Sequence, residues 1–168
     1  MPLVAHSALP TFDRLRQEGQ TVLSEDYAFH QDIRELHIGF LNMMPDAAME
    51  ATERQFFRLV GASNHIAQFH IHPFTLDTLP RGEKAQAHIA RHYDTFANLQ
   101  EQGLDALIIT GANPSQARLE DEPFWDGLCE VAAWAQQNVT STLCSCLASH
   151  ALVQHLWGIR RRPLGFKR

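Results

Sequence analysis

The sequence predicts an α/β fold in three layers, a mostly parallel sheet with helices on both faces. Two observations carry this expectation. Short apolar, often β-branched segments alternate with amphipathic segments of helical period, in the order β-α-β-α-β-α-β-α. No Asn-Gly hairpin turn joins one apolar segment to the next, so each return to the sheet passes through a helix, as parallel pairing requires.

The first 34 residues have no strong period and are expected to be peripheral to an α/β domain over 35–168. Within them, Thr11 to Glu18 predicts a short helix capped by Thr11 and ended by Gly19, and Ser24 to Asp32 reads as a loop. Leu36-His-Ile-Gly-Phe-Leu-Asn42 is the first clear strand, nearly all apolar as suits a strand covered on both faces. The turn Met43-Met-Pro-Asp46 follows. Ala48 to Val60 then places Met49, Phe56, Leu59 and Val60 on one helical stripe, and Gly61 is the expected stop. Ala67 to Phe74 alternates apolar and polar, which predicts a strand with one less buried face. Residues 77–90 are polar and read as a long loop of the kind that covers sites. His92 to Gln102 carries Tyr93, Phe96 and Leu99 at helical spacing, closed by Gly103. Asp105 to Ala112 is the third strand, running into a turn, and Asn113 to Leu119 a loop. Pro123 to Gln137 predicts a helix with its proline in the first turn. Val139 starts a fourth strand, and Leu147 to Trp157 a last helix with Leu147, Ala151, Leu152 and Leu156 on its apolar face.

Composition narrows the function classes. A net charge of −5 over 168 residues opposes a nucleic-acid platform, which presents a basic face. The only dense basic run, Arg160-Arg161-Arg162 with Lys167 and Arg168, reads as a solvated tail. No stretch of 18 apolar residues is present to cross a membrane. Pro2, His6 and Pro10 interrupt the apolar start, so no secretory leader is expected. Three cysteines, Cys129, Cys144 and Cys146, are an odd number, and two of them lie at i and i+2 on one strand, where bridging is poor. A reducing cytoplasm fits, with a cysteine cluster that serves chemistry or metal.

The chemistry converges on one end of the sheet. In parallel sheets ligands bind outside the carboxyl ends of the strands. Three such ends carry distinctive residues here: Asn42 to Pro45, Thr110-Gly-Ala-Asn113, and Ser145-Cys-Leu147. Cys146 falls at the joint between strand and helix, where a nucleophile stands exposed above a sheet and a helix N-terminus favours its thiolate. Ser145, Ala148 and Ser149 are small enough for a tight turn. The backbone N–H of Leu147, with one from Ala112 or Asn113, could form an oxyanion hole. Cys144 is the alternative thiol if the turn lies earlier. A zinc site from Cys144, Cys146, His150, His70 and His72 competes with this reading, but its ligands would have to come from distant elements; no metal is expected. A cysteine nucleophile also needs a base. His150 and His155 sit on the helix behind the thiol, and His92 with Asp94 has the right residue types in a segment that reads as surface, so no base is assigned.

Several of these runs together resemble the homoserine O-succinyltransferase (homoserine O-acyltransferase) family. They are Leu41-Asn-Met-Met-Pro45, Glu50-Ala-Thr-Glu-Arg-Gln-Phe-Phe-Arg-Leu59, Leu107-Ile-Ile-Thr-Gly-Ala112, Phe124-Trp125, Trp134, Val139 to Leu143 with Cys146, and Trp157-Gly-Ile159. The resemblance implies a fold like the class I glutamine amidotransferases. It implies that Cys146 takes an acyl group from succinyl-CoA as a thioester. The hydroxyl of L-homoserine then attacks, giving O-succinyl-L-homoserine for methionine synthesis, with no cofactor. In the family, a residue shortly after the Thr-Gly-Ala turn selects the acyl group, glycine for succinyl and glutamate for acetyl. The matching residue is Ser115, small and neutral, which leans to succinyl over acetyl-CoA. Asp46 and Ala47 stand where many members carry lysines. The family continues past Trp-Gly-Ile and places its base histidine, its partner glutamate and much of its homoserine surface there. The base and orienting acid are therefore expected beyond Arg168, the chain is expected to be an N-terminal portion and a poor catalyst alone, and a homodimer is the family habit. An amidotransferase-like cysteine hydrolase and a non-catalytic flavodoxin-like module are the competing readings.

Overall fold

The computed structural model describes residues 3–30, 34–63 and 67–162. They form a single six-stranded, all-parallel sheet with helices on both faces, as the alternation predicts. The strands are β1 (Leu3–Ala5), β2 (Val22–Ser24), β3 (Glu35–Leu41), β4 (Gln68–Phe74), β5 (Ala106–Ile109) and β6 (Ser141–Cys144), in the spatial order β2-β1-β4-β3-β5-β6. The helices are α1 (Pro10–Gln17), α2 (Glu25–Phe29), α3 (Asp46–Ser63), α4 (Glu83–His92), α5 (Phe96–Gln102), α6 (Trp125–Asn138) and α7 (Leu147–Trp157).

The period of two along each strand sorts the core into two layers. Ile38, Phe40, Phe69, Ile71 and Ile108 point to one side and meet Phe12 and Leu15 of α1 and Phe57 of α3. Leu41, Phe74, Leu107 and Ile109 point to the other and meet Leu99 of α5, Leu128 and Val131 of α6, and Ala151 of α7. Gly39 lies on this second face because there is no room for more: a Cβ there would stand 2.5 Å from Leu104 Cδ1 and 3.1 Å from Leu107 Cδ1. We expect Gly39→Ala to lower unfolding stability by about 1–3 kcal/mol through overpacking, read from denaturant midpoints; an unchanged midpoint would show that Leu104 simply moves aside.

Several expectations are corrected. The first 34 residues, expected to be peripheral, contribute β1 and β2 to the sheet, with Leu3 and Val4 fully buried. Three-residue strands are too short to display a period. The segment read as a loop from Ser24 contains α2, capped by the Ser24 hydroxyl accepting from Tyr27 N–H at 3.3 Å; its end at 31–32 lies outside the described residues. The long loop over 77–90 is half helix, since α4 begins at Glu83. The helix expected over His92 to Gln102 is broken at Tyr93–Thr95, and α5 restarts with Thr95 as its cap. Gly61 does not stop α3, which continues to Ser63; the glycine instead admits Leu3, whose Cγ would lie 3.1 Å from a Cβ at 61. Pro123 precedes α6 rather than opening it. β4 is buried along its whole length, its polar residues Gln68, His70 and His72 included, where one wetter face was expected.

β3 is the topological switch. From it the chain crosses to β4 on one side, then to β5 on the other. Crevices for ligands open at such points, outside the carboxyl ends of the strands. The turns 42–45 and 110–113 therefore lie side by side at the switch point, at the carboxyl ends of β3 and β5, and β6 with its exit turn lies next to β5. The outer strand β6 is exposed at Ser141, Thr142 and Leu143.

Candidate active site

Cys146 occupies the joint between β6 and α7 as the helix N-cap, with φ 56° and ψ −120°. It is the single non-glycine residue with positive φ among those described. The elbow is held from several sides. Ser145 N–H donates to Ile109 C=O at 2.9 Å, extending the β5–β6 ladder to the last residue before the thiol. Ser149 Oγ donates to Cys144 C=O at 2.8 Å, and Ser149 N–H to Cys146 C=O at 3.1 Å. These bonds fold the first turn of α7 back onto the strand end, which small side chains at 145, 148 and 149 permit. The Cys146 side chain is exposed, whereas Cys144 is half-buried against the core and burial pushes its thiol up. Burial, then Asp126, does the same to Cys129 on α6. The geometry thus separates the two neighbouring thiols, one presented and one packed away.

Gly111 forms the wall opposite. A Cβ on it would lie 3.1 Å from Cys146 Cβ, 3.5 Å from Cys146 Sγ and 3.7 Å from Leu147 N, so only a hydrogen fits there comfortably. The turn after β5 and the amide of Leu147 are in this way brought to the same thiol. Among the described residues, Leu147 N–H has no backbone acceptor; the first bonded amide of the turn is that of Ala148, to Ser145 C=O. Ala112 is buried beside Gly111 and Asn113 is exposed. Ser115 lies farther along, tied to the buried carboxylate of Glu122. That carboxylate accepts from Ser115 N–H and Gln116 N–H, each at 2.6 Å, and from Ser115 Oγ at 3.1 Å.

The turn after β3 is fixed by residues that sequence patterning passes over. Asn42 is fully buried. Its Nδ2 donates to Met49 C=O and to Tyr93 Oη, and its Oδ1 accepts from Met44 N–H. Arg81, nearly buried, donates to the carbonyls of Asn42 and Met44, to Thr75 Oγ1 and to Asp46. Asp46 also accepts from Gly82 N–H at 2.8 Å. The one signal of Arg81 in the sequence is a lone cation between Pro80 and Gly82. Beneath the turn lies Glu53, fully buried, which accepts from Thr11 at 3.0 Å, from Tyr93 at 2.8 Å, and pairs with His88 at 3.2 Å. Burial, then Glu53, raises Tyr93 above the usual phenol range, so it stays a donor.

Among the described residues no histidine is hydrogen-bonded to Cys146. Asp94 pairs with His72, at 3.1 Å, rather than with His92. His72 is on β4, which β3 and β5 separate from β6, about 14 Å at the usual strand spacing. His150 and His155 are exposed on α7. Among the described residues no three metal-ligating side chains are arranged to hold an ion. None of these helices is long and apolar enough to cross a membrane.

Taken together, the parallel sheet, the switch point at β3 and the positive-φ cysteine between strand and helix define an α/β protein that presents a thiol at a strand-to-helix elbow. Comparison with known sequences is more specific. The homoserine O-succinyltransferase family model matches residues 2–168, and the chain belongs to that family. It is 86% identical over 168 residues to the homoserine O-succinyltransferase of Thiothrix nivea, covering all of this chain and 47% of that protein. Over 167 residues it is 69% identical to the protein of the same name from Thioalkalivibrio nitratireducens, covering 99% of this chain and 47% of the relative. The corresponding protein of Methylococcus capsulatus is 64% identical over 168 residues, again with 47% of its length covered. The chain thus spans about half the length of the curated relatives it matches.

Proposed function

We propose that this chain supplies the acyl-carrying half of a homoserine O-succinyltransferase, with Cys146 as the carrier. The thiolate of Cys146 attacks the thioester carbonyl of succinyl-CoA. The new C–S bond forms as the bond to coenzyme A breaks, and the coenzyme leaves as its thiol. The hydroxyl of L-homoserine then attacks the enzyme thioester, loses its proton to a base, and departs as O-succinyl-L-homoserine while Cys146 is regenerated. Leu147 N–H, with that of Ala112 or Asn113, stabilises the oxyanion in both steps. The base and its orienting acid are assigned to no residue of this chain. Ser115 leaves room for the succinyl chain, and its hydroxyl is already engaged by Glu122.

The observation that carries this reading is the elbow itself: an exposed thiol at φ 56°, facing Gly111 where a Cβ would crowd it and next in the chain to the Leu147 amide, in a chain of this family. The test is intact-protein mass spectrometry of the full-length protein with succinyl-CoA. A succinyl adduct should form, survive in Cys144→Ala and disappear in Cys146→Ala, which should also lose turnover by a factor on the order of 10³ or more. An adduct that persists without Cys146 would sink the assignment. Presenting succinyl-CoA and acetyl-CoA in competition reads the donor preference directly.

A further inference from the structure

We infer that Thr110 is a positioning residue for the oxyanion hole, acting by fixing the peptide between Gly111 and Ala112. The inference rests on the reading of Cys146 as acyl carrier and names what orients the amide opposite it.

Thr110 closes β5 and is almost fully buried. Its backbone N–H continues the ladder to Leu41 C=O at 3.0 Å. Its hydroxyl does two further things. It accepts from Met43 N–H at 2.8 Å, and it donates to the carbonyl of Gly111 at 3.1 Å. The second bond turns the Gly111 carbonyl inward, toward the buried hydroxyl. A trans peptide is planar, with its C=O and the following N–H on opposite sides. Holding the Gly111 oxygen inward therefore directs the Ala112 N–H outward, away from Thr110. Gly111 faces Cys146 and the Leu147 amide closely enough that a Cβ on it would crowd both. The outward side of this peptide is accordingly the side of the thiol crevice.

The first bond explains why the hydroxyl can be relied on to donate. One of its two lone pairs accepts from Met43 N–H, whose turn is itself clamped by Asn42 and Arg81. The hydroxyl hydrogen is left with the Gly111 carbonyl as its partner. Two turns, after β3 and β5, thus meet at one hydroxyl.

The experiment uses the full-length protein and compares Thr110→Val, Thr110→Ala and Thr110→Ser. Each is tested for two reactions of Cys146. Acylation by succinyl-CoA passes through an oxyanion; alkylation by iodoacetamide does not. Val and Ala should slow acylation about 10- to 100-fold while alkylation stays within about twofold of wild type. Ser, which keeps the hydroxyl, should restore acylation to within a few-fold. Acylation at wild-type rate in Val or Ala overturns the inference. So does equal loss of both reactions, failure of Ser to rescue, or failure of both Val and Ala to fold, since each assigns Thr110 a structural role only. If wild-type protein acylates at a residue other than Cys146, the carrier assignment fails instead, and the two failures are distinct.

Discussion

Replacing Glu53 with alanine should cost about 3–5 kcal/mol of folding stability, from the donors left without their acceptor and the void left behind. On a chain of this size this corresponds to a fall of roughly 10 °C in Tm. Glu53 has no exposed surface, and it accepts from Thr11 on α1 and Tyr93 after α4 while pairing with His88 on α4. Alanine leaves the Thr11 and Tyr93 hydroxyls buried with that acceptor gone, and it opens a void as well. Glu53→Gln keeps the volume and one acceptor oxygen, so it should lose only about 1–2 kcal/mol. Denaturant unfolding distinguishes the two. An alanine variant within 1 kcal/mol of wild type, roughly the net worth of one ordinary hydrogen bond, would mean that water replaces the carboxylate at no cost. The residue falls in the Glu-Arg-Gln-Phe run, and its work there is to join α1, α3 and α4 beneath the turn after β3.

Acid should destabilise the fold through a second cluster. His6, His37, His70 and His72 are in mutual ring contact, with centroids 4.5–5.6 Å apart. The carboxylates facing them are Asp94, bonded to His72, and Asp105, which accepts from His37 N–H, with Glu25 and Glu35 at the rim. Burial, then neighbouring imidazoles, lowers His6, His37 and His70 from the ordinary 6.5, His70 to about 4. The sign follows from which state binds protons first. Below pH 6.5 the unfolded chain protonates these histidines while the folded chain still holds them neutral. Their contribution is intact above pH 6.5 and is lost as pH falls toward 4. For His70 alone the loss approaches about 2–3 kcal/mol at pH 4. Tm should therefore drop between pH 7 and pH 5, and His70→Gln should flatten that limb. An equally steep limb in the variant would assign the acid sensitivity to other groups. His70 Nε2 is buried without a partner, so replacing it removes no bond at that atom.

The sheet was legible wherever burial imposes a period. β3 and β5 declare themselves as apolar runs covered on both faces, and α3, α6 and α7 because one face of each is apolar. α4 and α2 did not, for the reason that each buries only one alanine, Ala85 and Ala28. A helix that lies on the surface carries little pattern to read. Cys146 was legible as a presented thiol because the small residues around it are what a tight turn needs, and the structure puts the turn at that position. The pairing of Asp94 with His72, the clamp by Arg81 and the burial of Glu53 were not legible. Each joins segments far apart in the chain through polar side chains, which look like surface residues until the fold brings them together.

The backbone at Cys146 has a further meaning. At φ 56° an L side chain is held in a region where glycine would sit freely, a difference of order 1–3 kcal/mol. The chain retains cysteine there nonetheless. Position 146 is thus where robustness and reactivity pull in opposite directions: the substitution most favourable to the backbone is the one that removes the thiol. Any search that ranks variants of this protein by thermal tolerance alone will tend to favour glycine at the elbow and select chains that fold better and have lost the exposed thiol.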